Sequence, residues 1–63
     1  MNPLAVSVQT AAAMVGVSQS TIREAIDKRK LPAFRVGRAI RIHVTSLEDW
    51  TRSLPVVGSE EDR

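Results

Sequence analysis

Two short amphipathic segments joined only by Gly16-Val17-Ser18 constrain the fold of this chain more than any other feature of its sequence. The first segment has apolar residues at the spacing that lines one face of a helix, at Val8, Ala11, Ala12 and Val15. The second segment repeats that periodicity at Ile22, Ala25 and Ile26. Two short helices joined by a three-residue turn that contains glycine are typical of a helix-turn-helix.

Residues suited to helix ends mark the limits of both predicted helices. Ser7 and Ser18 stand where a side-chain oxygen can accept a hydrogen bond from a free backbone N–H group, so each is a predicted N-cap. Gly16 stands where the first helix needs a residue in the left-handed conformation. The second helix is predicted to end near Arg29 or Lys30, because a proline follows shortly afterwards.

Beyond Pro32 the apolar residues alternate with other residues on either side of Gly37, which predicts a β-hairpin. A loop of two residues would pair Phe34 with Arg41 on one face. A loop of three residues keeps one face apolar, so it is the predicted register, with the pairs Phe34–Ile42 and Val36–Ile40.

The predicted register also places the charged residues of the hairpin. Arg35 and Arg41 share its outer face, and Arg38 lies at the tip. His43 is predicted to face solvent, because without cysteine or a second histidine it cannot anchor a structural zinc site.

A third helix is predicted after the hairpin. Thr45-Ser46-Leu47-Glu48 has the form of a capping box, and Leu47, Trp50 and Leu54 form the apolar stripe that would pack in the core. Pro55 ends this helix, and residues 55–63 are predicted to be a flexible acidic tail. The predicted fold class is therefore mainly α with a small β-hairpin, a winged helix-turn-helix domain over residues 1–54.

The charge is distributed unevenly along the chain. Residues 1–46 hold seven cations and two anions, a net charge of +5, whereas residues 47–63 hold two cations and five anions, a net charge of −3. A basic body with an acidic end favours a polyanionic partner for the body.

The sequence offers no signs of catalysis, and the expectation is that the chain is not an enzyme. It has no glycine-rich phosphate loop, no nucleophile–base pair and no cysteine, so we expect no catalytic residues, no bound metal and no cofactor. A domain this small also has little room for a catalytic pocket, and no small-molecule substrate is expected. No apolar run approaches the length of a membrane span, so no membrane partner is expected either.

The second helix and the hairpin carry the candidate binding residues. The first turns of that helix present polar groups that can donate to and accept from base edges and phosphates, at Ser18, Gln19, Ser20, Thr21 and Arg23. The hairpin and its flank add the cations Lys28, Lys30, Arg35, Arg38 and Arg41. A solvated helix face with Ser18 acting only as a cap is the alternative for the helix alone. The cluster of arginines without an intervening carboxylate favours duplex DNA as the partner.

Four blocks of the sequence, in order, resemble the excisionase-type DNA-binding domains related to the MerR superfamily. They lie at residues 8–12, at 16–23, at 31–38, and at 41–42 together with 47–50, and the resemblance covers about residues 5–54. It implies a winged helix-turn-helix in which the second helix enters the major groove and the wing contacts the backbone or the minor groove. The recognition-helix and wing residues named above occupy the matching positions.

The resemblance also implies a biological role. Small domains of this kind are recombination directionality factors of phages and mobile elements, which bind attachment-site DNA cooperatively, bend it and direct an integrase toward excision. The implied partners are double-stranded DNA, an integrase and further copies of the chain along the DNA, and the implied location is the cytoplasm of a bacterial host. A small transcriptional regulator and a protein-interaction module remain alternatives.

Overall fold

The computed structural model describes residues 3–57 and contains three helices and three short strands. In chain order, these are β1 (Ala5–Val6), α1 (Val8–Val15), α2 (Gln19–Asp27), β2 (Phe34–Val36), β3 (Ala39–His43) and α3 (Val44–Arg52). The strands form one antiparallel sheet in the order β1-β3-β2. The architecture confirms the predicted winged helix-turn-helix. No helix within residues 3–57 has the length and apolar character needed to cross a membrane.

The two helices of the helix-turn-helix begin in the same way. Ser7 Oγ accepts a hydrogen bond from the backbone N–H of Thr10 at 3.1 Å, and Ser18 Oγ accepts one from the N–H of Thr21 at 3.2 Å. Both predicted N-caps are therefore confirmed. Gly16 ends α1 in the left-handed region, with a φ of 84°, as the sequence predicted. Because the end of α1 and the start of α2 are both marked by such local signals, the chain passes from one helix to the other within three residues.

The core lies where the two helices, the sheet and α3 meet. Its buried side chains come from all three helices, from β1 and β3, and from the segment after α2: Val6, Val8, Ala11, Ala12, Ile22, Ala25, Leu31, Ile42, Leu47 and Trp50. Val15 and Ile26, the last residues of the predicted stripes of α1 and α2, are only half-buried against this core. Within residues 3–57, Leu31 is one of three large side chains that are fully buried, although the sequence predicted only the end of a helix there. Alanines on α1 let α2 approach closely, since small side chains shorten the distance between helix axes.

The second helix ends at Asp27, two or three residues before the predicted end near Arg29 or Lys30. Arg29 adopts a left-handed conformation with a φ of 62°. The N–H of Lys30 then donates to the carbonyl of Ala25 at 2.9 Å, and the N–H of Arg29 donates to the carbonyl of Ile26 at 3.0 Å. This pair of bonds is the Schellman motif, which turns the chain sharply and directs Leu31 into the core. The prediction was wrong because it relied on the proline and overlooked a left-handed arginine.

The predicted hairpin register was wrong. Gly37 and Arg38 form a two-residue turn, and Phe34 pairs with Arg41 while Val36 pairs with Ala39. Gly37 has a φ of 62°. Arg38, within the described residues, does not have a positive φ. A positive φ at the first turn residue only is typical of the type II′ turn, which suits the twist of a hairpin. The tight turn therefore determines the register, and as a result the inner face of the hairpin is not entirely apolar.

This register separates two arginines that were predicted to share a face. Arg35 pairs with Ile40, on the side of the sheet that carries the buried Ile42, whereas Arg41 lies on the opposite side with Phe34. Phe34 is correspondingly exposed and stacks on the exposed ring of His43, with centroids 4.6 Å apart.

The first strand was not predicted, because two residues are too short to show alternation. Val6 pairs with Ile42 and Ala5 with His43, and the N–H of Val44 donates to the carbonyl of Leu4 at 3.1 Å. Since Ser7 follows directly, this pairing fixes the start of α1 beside the middle strand.

The third helix begins earlier than predicted and without a capping box. It starts at Val44, its N-cap residue His43 makes no side-chain capping bond, and it ends at Arg52. The chain enters α3 directly from β3, so Thr45 already lies within the helix. Trp50 is buried as predicted, whereas Leu54 lies beyond the helix and is 41% exposed. The predicted tail begins at Pro55, but residues 58–63 lie outside the described part of the chain.

Arg29 gives a direct test of the end of α2. A left-handed conformation costs an L-residue about 1–2 kcal/mol, a penalty that glycine avoids. We expect Arg29→Gly to have a free energy of unfolding about 1 kcal/mol higher than Arg29→Ala, which removes the same charge but keeps the penalty. Chemical denaturation measures both values. Equal stabilities would contradict the left-handed conformation.

Candidate nucleic-acid interface

A cleft opens between the start of α1, the start of α2 and the hairpin. Its volume is about 310 Å³, and its polar walls come from residues far apart in sequence: Ser7, Gln9, Gln19, Arg23, Arg38 and Arg41. Val8 and Ile40 complete the lining. The fold therefore brings two of the predicted recognition-helix residues together with two of the predicted wing residues.

The charge of this cleft is positive. Arg23, Arg38 and Arg41 line it, and no aspartate or glutamate does so. Within residues 3–57, none of the three guanidinium groups lies within 4.0 Å of a carboxylate. Arginines in a shared concave surface reinforce one another's potential, because the low-dielectric walls focus the field toward the opening.

Arg41 is held in place by the backbone of its own strand. Its Nη1 donates to the carbonyl oxygen of Ile40 at 2.8 Å, and the residue is half-buried. One of the five N–H donors of the guanidinium is used in this bond, so the others remain available to an anion. A fixed guanidinium loses less rotamer freedom on binding than a freely moving one.

Positive and negative groups are separated along α2. The N-terminal half carries Arg23 and the free N–H groups of a helix start, whereas the C-terminal half carries Glu24 and Asp27. Asp27 and Arg23 both line a second, smaller hollow together with Ile40, but they do not form an ion pair. A phosphate is therefore attracted to the N-terminal half of α2, next to the cleft.

Lys28 is paired rather than free. Its Nζ lies 2.8 Å from Glu24 Oε2, one helical turn away. The hydrogen bond and the charge of Lys28 lower the pKa of the Glu24 carboxyl, and Glu24 in turn raises the pKa of Lys28. Both side chains are well exposed, so the pair adds little to stability. It does reduce the positive charge that Lys28 can offer to a ligand.

The remaining predicted site residues lie outside the cleft. Ser18 and Thr21 bond to each other through their hydroxyl oxygens, 3.0 Å apart, so the helix cap engages both side chains. Ser20 and Lys30 are exposed on the surface. Arg35 lines a separate shallow hollow with Ile26, a consequence of the two-residue turn.

Sequence reasoning did not single out two cleft residues at the start of α1. Ser7 was predicted only as a cap, and Gln9 was not considered as a contact, yet both line the cleft. The only local signal is that they precede and occupy the first turn of a helix. Their place beside the wing depends on β1, which the sequence did not predict.

The described residues show no arrangement suited to a metal. No three of their histidine, aspartate and glutamate side chains come close enough together to share an ion. Every buried side-chain nitrogen and oxygen in this part of the chain has a hydrogen-bond partner.

Comparison with known protein families identifies a helix-turn-helix domain. A family model described as a helix-turn-helix domain matches residues 5–55, which include every helix and strand of the structure. A comparison with curated proteins found no matching relative.

Proposed function

The chain belongs to the helix-turn-helix domain family, a family of DNA-binding domains, and from this membership we propose that it reads duplex DNA with α2 and the hairpin together. The observation that carries the proposal is the cleft in which Gln19 and Arg23 of α2 face Arg38 and Arg41 of the hairpin. A helix and a wing that share one positive surface can contact one continuous stretch of DNA.

We propose different tasks for the two sides of the cleft. Gln19 and Arg23 lie four residues apart on one side of α2, and both side chains can form paired hydrogen bonds with base edges in the major groove. Arg38 projects from the turn of the hairpin, the element that can reach the backbone or a narrow minor groove. Base preference would then come from α2, and most of the salt-sensitive affinity from the hairpin.

The structure changes the expected contribution of several residues. Ser18 and Thr21 serve the helix cap, and Lys28 is paired with Glu24. We propose these three as secondary contacts and Lys30 and Arg35 as contacts to phosphates flanking the central site. Ser20 is exposed on α2 but does not line the cleft, and we propose that it contacts DNA only where the major groove wraps around the exposed face of α2.

For the biological role, we propose an excisionase that binds several adjacent attachment sites, bends the DNA and directs an integrase toward excision. The support is the resemblance of the four sequence blocks together with the size of the domain. One module of this kind covers only about 600–1,000 Å² of surface on DNA, which is a small footprint for strong specificity. Adjacent copies would multiply the contacts and offset a bending cost of about 1–6 kcal/mol. We propose no catalytic step, metal or cofactor for this role.

The salt dependence of binding tests the proposed task of the hairpin. Each neutralised phosphate contributes about −0.9 to the slope of log K against log salt concentration. We expect Arg38→Ala to weaken binding to all duplexes and to make the slope less steep by about 0.9. Arg52→Ala is the matched control, since Arg52 is exposed on α3, outside the cleft, and is expected to leave the slope nearly unchanged. Equal slopes for the two variants would remove Arg38 from the interface.

The base preference tests the proposed task of α2. We expect Gln19→Ala to lose about 1–3 kcal/mol of discrimination at one base position, because a paired contact to a base edge is removed. Ser20→Ala changes the next residue of the same helix, outside the cleft, and is expected to keep the preference. Selection from random duplexes followed by affinity measurements gives both values. An unchanged preference in Gln19→Ala would contradict base reading by this residue.

A recombination assay run in both directions tests the biological role. With the integrase of the same element, excision should require this protein, and integration should be unchanged or inhibited by it. The physical reason is that a bent array of bound copies favours one arrangement of the recombining sites. If the protein leaves both directions unaffected and represses a nearby promoter, a transcriptional regulator replaces the excisionase.

A further inference from the structure

The small hollow next to the cleft contains two opposite charges that are not paired. It has a volume of about 170 Å³ and is lined by Arg23 and Asp27 of α2, together with the apolar side chains of Val8, Ile26 and Ile40. Val8, Arg23 and Ile40 line the cleft as well, so the hollow and the cleft are adjacent. The Arg23 side chain therefore lies at the boundary between them.

The position of Asp27 does not favour the stability of α2. It is the last residue of the helix, where the partial negative charge of the helix end makes a carboxylate unfavourable. Within residues 3–57 no cation lies within 4.0 Å of this carboxylate, because the ion pairs there join Lys28 to Glu24 and Arg52 to Asp49. A residue that breaks a local rule without a compensating contact in the free protein is a candidate for a role in binding.

We propose that Asp27 is a positioning residue for Arg23. On the DNA site, its carboxylate accepts hydrogen bonds from the Arg23 guanidinium and holds that group against a base edge in the major groove. The inference rests on the proposed function, in which Arg23 reads a base. An arginine that contacts O6 and N7 of a guanine uses two of its five N–H groups, so donors remain on its side edge. A carboxylate can accept two such N–H groups in parallel.

The geometry of α2 suits this arrangement. Arg23 and Asp27 are four residues apart, the spacing at which side chains on a helix surface are neighbours. Side chains on a helix lean toward its N-terminus. This tendency directs Asp27 toward Arg23, and Arg23 toward the cleft that it lines. The carboxylate therefore lies behind the guanidinium, on the side away from the N-terminus of α2.

The pair is weak in the free protein for two physical reasons. Both residues are exposed, and the cation precedes the anion along the helix, which is the less favourable order for this spacing. DNA bound over the cleft would exclude water from the hollow, whose other lining residues are apolar. Because the attraction between two charges increases as the dielectric constant falls, the pair should form on DNA and restrict Arg23 to one orientation.

Duplexes that differ at a single base pair test the positioning role. The base read by Arg23 is the one at which Arg23→Ala loses its preference, by about 5- to 150-fold. At that base we expect Asp27→Ala to reduce the discrimination about tenfold, because Arg23 is left free to turn away. Asp49→Ala is the matched control, since it removes the same charge from an exposed site on α3, outside the cleft and the hollow, and should keep the discrimination.

A double-variant cycle separates positioning from simple charge repulsion. In the Arg23→Ala background, the further change Asp27→Ala should leave the remaining base preferences unchanged, because Asp27 acts only through Arg23. Unfolding of the variant does not limit this test. Removal of a carboxylate from the C-terminal end of a helix should leave the melting temperature unchanged or raise it.

Three outcomes would overturn the positioning role while leaving the proposed function intact. One is that Arg23→Ala loses the base preference and Asp27→Ala keeps it. Another is that Asp27→Ala tightens binding to all duplexes equally, as expected if the carboxylate only repels phosphates. The third is that Asp27→Ala still changes the base preference in the Arg23→Ala background, as expected if Asp27 contacts DNA directly.

A different pair of outcomes would contradict the proposed function and the role of Asp27 together. The first is an unmodified protein that binds all duplexes with equal affinity. The second is an Arg23→Ala variant that keeps the full base preference, since Asp27 would then have no base-reading arginine to position.

Discussion

The antiparallel pairing of Val6 with Ile42 is the interaction on which the arrangement of this molecule depends. Ile42 is fully buried on the middle strand, and Val6 meets it from a strand of only two residues. Because α1 begins two residues after Val6, this pair holds the first helix against the hairpin. The short turn between α1 and α2 then fixes the position of α2 relative to α1. The relative positions of α1, α2 and the hairpin, which form the walls of the cleft, therefore depend on one short strand pair.

The elements with strong local signals could be predicted from the sequence. Ser7, Gly16 and Ser18 act through atoms within a few residues of themselves, so the limits of α1 and the start of α2 follow from the chain alone. The same holds for burial along the apolar stripes within the helices, because helical periodicity decides which side of a helix meets the core, whereas Leu54 lies beyond the end of α3 and is exposed. Trp50 is an example, buried where its stripe predicted.

The features that sequence reasoning missed are those in which two preferences compete. At Gly37, the turn and the apolar face of the hairpin favour different registers, and the backbone geometry of the turn prevails. At Arg29, the burial of Leu31 outweighs the cost of a left-handed arginine. The strand β1 has no periodicity to detect, and it forms only because β3 offers it an edge. Of the candidate site, four predicted residues meet in the cleft, while the shared face of Arg35 and Arg41 was lost with the register.

The shortness of β1 also has a kinetic consequence. Its partners, Ile42 and His43, are separated from it in sequence by α1, α2 and β2, so closing this pair costs the entropy of a long loop and forms few hydrogen bonds. The α1–α2 unit and the hairpin are each local and can form before they meet. Fraying of β1 would then loosen the link between these two halves of the molecule, although the shared core still holds them together. Amide hydrogens of residues 4–6 should therefore exchange with solvent sooner than those of α2, and a ligand that bridges both halves would slow that exchange.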